Sequence, residues 1–162
     1  MSITGCLTVP IAALGLTLLT PVEPLVAQST HLEVPVDKVQ WGPAPPILPA
    51  GAQIAVLEGN PAATGAVTMR LKLPTNYEIP AHWHSKTERI TVLSGSFHVG
   101  MGDKLDRQAS QTLDAGGYLM LPAMMRHFAW TAAPTIVQIN LEGPFDLVYV
   151  NPTDNPTPPT KR

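Results

Sequence analysis

Proline and glycine interrupt this chain at short intervals along its length. Its 162 residues include 18 prolines and 12 glycines, and no long stretch has the periodic Ala, Leu, Glu and Lys content of a helical bundle. Residues 67–73 alternate apolar and polar side chains, which is typical of a strand with one buried and one solvated face. The sequence therefore predicts an all-β fold.

Other short segments are rich in β-branched or aromatic residues and end at turn residues. They are residues 53–57, 87–93, 96–100, 118–121 and 135–141. Short strands at this spacing predict a sandwich or a barrel, because closing a sheet removes its unpaired edges. Residues 41–51 contain too many prolines for a central strand, and we expect this segment to lie over a sheet edge.

Composition and charge narrow the class of protein. The chain is 44% hydrophobic and 14% charged, which predicts one compact domain with a core. Its net charge is −2 and it has no basic run, so we expect no nucleic-acid partner. The single cysteine, Cys6, excludes a disulfide scaffold and a thiolate-based metal site. Any metal must therefore be held by histidine and carboxylate.

The N-terminus resembles an export signal. Residues 3–22 carry no charge, and Leu7 to Leu19 form an apolar stretch that is long enough for a signal peptide and short for a membrane span. We expect residues 1–27 to be a signal peptide that is cleaved after Ala27. The protein would then be periplasmic or secreted, with no membrane partner after cleavage. A retained anchor and a misassigned start codon are the alternatives.

The remaining chain divides into three parts. Residues 28–35 are predicted to be a short leader, and residues 36–150 the β-barrel domain. Residues 151–162 contain four prolines and no apolar periodicity, which predicts an extended or disordered tail.

The candidate chemistry lies in His82, His84, Glu88 and His127. Residues i and i+2 of a strand point to the same face, so His82 and His84 can converge on one ion. Glu88 follows after a turn, and His127 follows the turn at residues 122–126. Three imidazoles and one carboxylate suit Mn, Fe, Ni, Cu or Zn and leave coordination positions open. The alternatives are surface histidines, or core histidines bonded to backbone carbonyls.

Two motifs resemble those of the cupin superfamily. Asn76-x5-His82-x-His84-x3-Glu88-x6-Gly95 is similar to the first cupin motif, and Gly116-x5-Pro122-x4-His127 is similar to the second. The resemblance implies a single-domain jelly-roll β-barrel. It also implies that His82, His84, Glu88 and His127 bind one divalent transition metal ion.

The chain departs from the cupin pattern at three positions. Asn76 replaces a glycine, and asparagine can adopt the same left-handed conformation. Met124 replaces another glycine, so we expect either a different turn or a Met124 side chain in the pocket wall. Thr131 replaces an asparagine at a turn, where threonine can still bond the backbone.

Several other residues are candidates for the site. Tyr118, His98 and Arg126 are candidate catalytic residues, although His98 fits a packed or exposed strand position better and Arg126 fits solvent equally well. Tyr118 is also a candidate hydrogen-bond partner for a ligating histidine. Gln138 and Asn140 are the other candidate hydrogen-bond partners. We expect the apolar pocket wall to include Met120, Met124 and Met125.

Three functions are compatible with these residues. The first is an exported, mononuclear metal enzyme with oxygenase-type chemistry on a small oxygen-bearing substrate. The second is a cupin that binds or senses a metal or a metabolite without turnover, as in anti-sigma-factor cupin domains. The third is a metal-dependent isomerase or lyase. The resemblance leaves the oligomeric state open, with a homodimer as one option, since small cupins often pair through sheet edges.

Overall fold

A computed structural model of the chain describes Met1 and residues 31–157. The predicted signal peptide beyond Met1, residues 28–30 of the leader and the last five residues lie outside the described residues. The strands all belong to the compact unit that starts at Glu33. Within the described residues, no helix is long and apolar enough to span a bilayer.

The described residues form two antiparallel sheets, as the all-β prediction requires. In chain order the strands are β1 (Gly42–Pro43), β2 (Gln53–Glu58), β3 (Gly65–Leu73), β4 (Glu78–Trp83), β5 (Glu88–Ser94), β6 (Ser96–Met101), β7 (Gln111–Asp114), β8 (Tyr118–Leu121), β9 (His127–Trp130), β10 (Thr135–Gly143) and β11 (Val148–Tyr149). The six-stranded sheet has the order β1-β2-β3-β10-β5-β8, and the five-stranded sheet has the order β11-β4-β9-β6-β7. Single turns of 3-10 helix span Val36–Lys38, Arg107–Ala109 and Pro152–Asp154. The jelly-roll prediction is confirmed.

Residues 67–73 form part of a strand with one buried face, as their alternation predicted. In β3 the side chains of Val67, Met69, Leu71 and Leu73 are buried, while the intervening side chains are only partly buried. They pack with apolar residues of both sheets in one core. The other predicted segments correspond to β2, β5, β6, β8 and β10. The short strands β1, β7 and β11 carry no such signal, because all three lie at sheet edges.

The proline-rich segment at residues 41–51 lies over a sheet edge, as predicted. Its first residues form β1, the outermost strand of the six-stranded sheet. The segment also covers the core, since Leu48 is only 4% exposed. Buried tyrosines hold it on both sides of Leu48: Tyr149 Oη donates to the carbonyl of Ile47 at 2.8 Å, and Tyr77 Oη donates to that of Pro49 at 2.6 Å.

The described part of the predicted tail has a defined conformation. Pro152–Asp154 forms a turn of 3-10 helix, and the Asn151 side chain accepts a hydrogen bond from the Thr153 amide at 3.2 Å. Asn155 in turn accepts from the amide of Thr157. Asparagine side chains therefore order these residues, where their proline content had predicted an extended or disordered segment.

Candidate metal centre

Three histidines meet between the two sheets. His82 lies in β4, His84 follows the end of that strand, and His127 is the first residue of β9. One ring nitrogen of each lies within 4.8 Å of those of the others. Glu88 begins β5 in the opposite sheet, and all four side chains are at most 7% exposed. The structure thus brings together the four residues that the sequence singled out.

A β-bulge in β4 turns the two neighbouring histidines inward. Ile79 pairs with Ala129 and His82 pairs with His127, so β4 has one residue more than β9 between these pairs. Regular alternation from the buried Ile79 would place Trp83 inside. The extra residue reverses the alternation, so that His82 and His84 are buried while Trp83 is partly exposed. Pro80 lies in the bulge, where its missing N–H is tolerated.

Backbone carbonyls hold all three imidazoles in one tautomer. His82 Nδ1 donates to the carbonyl of Pro80 at 2.8 Å, and His127 Nδ1 donates to that of Met125 at 3.0 Å. His84 Nδ1 donates to the carbonyl of Asp146. A carbonyl can only accept, so Nδ1 carries the proton and Nε2 is left as a free ligand atom. Core histidines bonded to backbone carbonyls were the alternative to a metal site. The structure combines the two, because the three bonded rings also bring their ligand atoms within 4.8 Å of one another.

The carboxylate of Glu88 approaches two of these imidazoles. Its Oε2 atom lies 3.5 Å from Nε2 of His84 and 3.9 Å from Nε2 of His127. Burial raises the pKa of Glu88 above its usual value, with an opposing effect from His84. A bound cation would favour the ionised carboxylate and reverse this shift.

Burial keeps two of the histidines neutral. It lowers the pKa of His82 well below the usual 6.5, and the neighbouring imidazoles lower it further. Burial lowers the pKa of His127 to about 4. A neutral imidazole is the form that binds a metal ion, so these side chains are ready to coordinate near neutral pH.

The site faces a small cavity with apolar walls. The cavity has a volume of about 30 Å³. Besides the three histidines and Glu88, its lining is aliphatic or aromatic and consists of Leu48, Leu71, Leu73, Ile79, Ile90, Phe97, Ala129, Val137, Ile139, Phe145 and Leu147. The four polar side chains therefore share an otherwise dry environment, in which their electrostatic interactions are strong.

A metal ion fits the polar end of this cavity. Nε2 of His84 is buried and has no hydrogen-bond partner among the described residues. Buried polar atoms rarely stay unsatisfied, and coordination to an ion would satisfy this one. Three imidazole nitrogens with one carboxylate oxygen match the donors that divalent transition metals prefer.

His98 lies outside this cavity, on the other face of β6. Its ring stacks on Trp130, with a centroid distance of 3.8 Å and an interplanar angle of 9°. The Thr112 hydroxyl lies 2.8 Å from its Nδ1 atom. His98 is thus a packed strand residue, which is one of the two strand roles that the sequence favoured over catalysis.

Tyr118 and Arg126 are also outside the cavity. Tyr118 is 58% exposed on β8, the last strand of its sheet. Arg126 forms an exposed ion pair with Asp103, with 2.8 Å between Nη1 and Oδ2. Neither side chain contributes to the cavity lining, so the geometry gives neither of them a catalytic role.

The methionines around His127 do not form the pocket wall, and this prediction was wrong. Met120, Met124 and Met125 are 48%, 59% and 39% exposed. Met124 has a φ of 66°, so it adopts the left-handed conformation of the glycine that it replaces. The side chain faces solvent, contrary to the expectation that it forms pocket wall.

The other two departures from the cupin pattern behave as predicted. Asn76 has a φ of 56°, in the left-handed region. The Thr131 hydroxyl donates to the carbonyl of Pro74 at 2.7 Å and accepts from the amide of Tyr77 at 3.3 Å. Both substitutions keep the turns that lead into and out of the site.

The prediction that Gln138 or Asn140 accepts a hydrogen bond from a ligating histidine was wrong. Gln138 bonds Arg70 and Asn140 bonds Thr68, on partly buried positions of the six-stranded sheet. Backbone carbonyls take their place, and these leave no signal in a sequence. Leu48, Phe145 and Leu147 of the cavity wall were likewise missed, because they lie in loops outside the recognised motifs.

The fold and the site define a class of protein. Two antiparallel sheets with histidines gathered between them form the cupin barrel. A family model described as the ChrR cupin-like domain matches residues 29–145, and the chain belongs to this family. No curated protein matches the sequence.

Several solved structures share the fold. A protein described as an acetylacetone dioxygenase from Methylibium petroleiphilum PM1 aligns with a TM-score of 0.61 and 21% identity, over 82% of this chain and 90% of that one. The polyketide cyclase RemF from Streptomyces resistomycificus aligns with a TM-score of 0.60 and 18% identity, over 78% and 90%. An RmlC-like cupin from Shewanella frigidimarina aligns with a TM-score of 0.54 and 18% identity, over 70% and 91%. At these identities the likeness concerns the fold.

Proposed function

We propose that the protein is a mononuclear metal enzyme that acts on a small oxygen-bearing substrate. His82, His84 and His127 would bind one divalent transition metal ion through Nε2, and Glu88 would bind it through its carboxylate. The observation that carries the proposal is the set of three Nε2 atoms, each freed by a backbone hydrogen bond from Nδ1, that converge at an apolar cavity. Mn, Fe, Ni, Cu and Zn all suit these donors.

The cavity supports catalysis more than a structural role. A structural zinc site is closed by its four ligands and is not arranged around a pocket. Here the ligand atoms face a cavity that admits small groups, and its apolar walls exclude bulk water. A bound ion supplies Lewis-acid chemistry and, when it is redox-active, reaction with O₂. The backbone-held imidazoles keep the site rigid, and Glu88 contributes one negative charge.

Oxygenase-type chemistry is favoured over an isomerase or lyase reaction. Among the described residues, the titratable side chains that line the cavity are the four candidate ligands themselves. An isomerase or lyase that moves a proton with a separate side-chain base has no such group here. The two most similar of the neighbours above are named for a dioxygenase and a cyclase, so their names alone do not choose the reaction.

Metal analysis tests the ligand set. We expect the purified protein to carry close to one transition metal ion per chain, and His84→Ala to lose most of it. His98→Ala is the matched control, because His98 stacks on Trp130 outside the cavity and should leave the metal content unchanged. A His84→Ala protein with full metal content would contradict the assignment.

The reaction class needs a second measurement. With the native metal identified, O₂ consumption should accompany turnover of a small substrate and should be lost in His84→Ala. Turnover without O₂ consumption would favour the isomerase or lyase. Tight ligand binding with no turnover under either condition would favour a binding or sensing cupin.

We also propose that the protein is exported, to the periplasm or the medium. The support is the uncharged N-terminal segment with its apolar stretch from Leu7 to Leu19, followed by Ala27 as the cleavage position.

A further inference from the structure

Apart from the candidate metal ligands, the cavity wall can contact a substrate only through hydrocarbon groups. Beyond the four candidate ligands, no Lys, Arg, Ser, Thr, Asn, Gln or Tyr among the described residues lines it. A hydroxyl group buried against these walls would lose its hydrogen bonds to water without replacement. A sugar or another polyol is therefore a poor fit.

Charge restricts the substrate further. A divalent ion with three neutral imidazoles and the Glu88 carboxylate would leave one net positive charge at the site. A monoanion neutralises this charge. A second anionic group, at the other end of the substrate, would meet only walls such as Leu71, Ile90 and Val137, with no cationic side chain beside it.

Leu48 forms part of the cavity wall. Its side chain is 4% exposed and lines the cavity, although it comes from the proline-rich segment and not from a strand. The carbonyls on either side of it are bonded by the buried hydroxyls of Tyr77 and Tyr149. Its amide donates to the carbonyl of Pro45 at 2.9 Å. These three bonds hold Leu48 as a fixed part of the wall.

We propose that the substrate is a small monoanion, which binds through its oxygen atoms and carries a short hydrocarbon body without a second polar group. This inference rests on the proposed metal site. A cavity of about 30 Å³ has room for small groups only, which limits the hydrocarbon body to a few carbons at most. Leu48 is the residue that determines the accepted chain length.

Two matched probes test the class of substrate. The full chain loaded with Co(II) is titrated with 2-oxopentanoate and with 2-oxoglutarate, which differ in a terminal methyl against a terminal carboxylate. We expect 2-oxopentanoate to bind at least tenfold more tightly, and to shift the visible absorption of the cobalt ion. Equal or tighter binding of 2-oxoglutarate would overturn the inference, as would a loaded protein that binds neither probe.

A homologous series tests the role of Leu48. From pyruvate to longer unbranched 2-oxo acids, affinity should rise about fourfold per added methylene until the cavity is filled, and then fall. Leu48→Ala should move the optimum to longer probes, and Leu48→Val should move it less if the larger truncation does not fold. Leu93→Ala, at a position 40% exposed on β5, is the control. An unchanged optimum in both Leu48 variants would refute its role.

The outcomes separate the two proposals. A wild-type protein that takes up no Co(II) contradicts the metal site, and this inference falls with it. A protein that takes up Co(II), and loses it in His84→Ala, keeps the metal site even when the probe series contradicts the substrate class.

Discussion

The imidazoles of the candidate centre are positioned by the polypeptide backbone. Each Nδ1–H group donates to a carbonyl, from Pro80, Asp146 and Met125 respectively. A carbonyl cannot change its protonation state, so it sets the tautomer at every pH at which the ring is neutral. The free Nε2 atoms are therefore built into the local chain conformation and do not depend on other side chains.

Burial of these rings makes the metal-free protein sensitive to acid. The pKa of His127 is lowered to about 4 and that of His82 well below 6.5. In the unfolded chain both rings gain a proton below about pH 6.5. The unfolded state then binds more protons, so the free energy of unfolding should fall as the pH drops from about 6.5 to about 4. Urea unfolding across this interval measures the loss.

The raised pKa of Glu88 acts in the opposite direction, because the folded state then holds its proton to higher pH. A His82→Gln/His127→Gln double variant separates the contributions. It should lose less unfolding free energy than the wild type over the same pH interval. An identical loss in both proteins would show that the buried histidines do not cause the acid sensitivity.

Met124 carries strain that glycine would remove. Its φ of 66° is unfavourable for a residue with a Cβ, and its side chain is 59% exposed. We expect Met124→Gly to raise the free energy of unfolding by about 1 kcal/mol, since relief of strain exceeds the lost contacts. Urea unfolding at neutral pH provides the measurement.

Met125→Gly is the matched control for this change. Met125 does not have a positive φ, so glycine there adds only backbone freedom to the unfolded chain and should destabilise the protein. Destabilisation by Met124→Gly as well would mean that the Met124 side chain contributes more than its exposure indicates.

At the scale of elements, the bulge in β4 decides which residues reach the site. Without it, the alternation that buries Ile79 would place His82 and His84 on the opposite face. The His-x-His spacing shows that two side chains share a face, but not which face that is. The pairing of β4 with β9 resolves this, and Pro80 is the one local sign of an irregular strand.

The pairing of β6 with β9 depends on a glycine, because Gly100 lies opposite Phe128. A Cβ at Gly100 would lie 2.1 Å from Cζ of Phe128, which is fully buried. We expect Gly100→Ala to destabilise the protein by about 1–3 kcal/mol, because the packed ring has no room to move. Thermal or urea unfolding measures the effect.

Gly42→Ala is the control for the packing argument. No atom lies within 4 Å of a Cβ at that position, and its φ is not positive. This variant should unfold like the wild type. A Gly100→Ala protein as stable as Gly42→Ala would show that Phe128 can be displaced at little cost.

At the scale of the whole molecule, the centre lies where two sheets face each other. His82 and His127 lie in the five-stranded sheet, His84 follows β4 of that sheet, and Glu88 lies in the six-stranded sheet. The apolar core that holds the sheets together continues into the walls of the cavity. Loss of sheet packing would therefore separate the ligands, which links metal affinity to folding.

The proposed export would change the mass of the mature chain. We expect protein isolated from the periplasm or the medium to start at Gln28, since cleavage after Ala27 removes the apolar segment. N-terminal sequencing or intact mass measurement checks this, with Ala27→Arg as a variant that should slow processing. Full-length protein in the exported fraction would contradict the cleavage position.

The homodimer stays a prediction that size-exclusion chromatography with light scattering can test.

The sequence by itself determined the β class, the strand at residues 67–73 and the four candidate ligand residues. The β class, the strand, His82, His84 and Glu88 follow from alternation and spacing, which are local properties of a linear chain, whereas His127 was added by its place after a turn and by the resemblance to the second cupin motif. The outward direction of Met120, Met124 and Met125, the backbone partners of the histidines and the cavity wall from Leu48 were decided only by the tertiary structure. Each depends on which residues, distant in the chain, lie across from one another, and a single sequence does not contain that pairing.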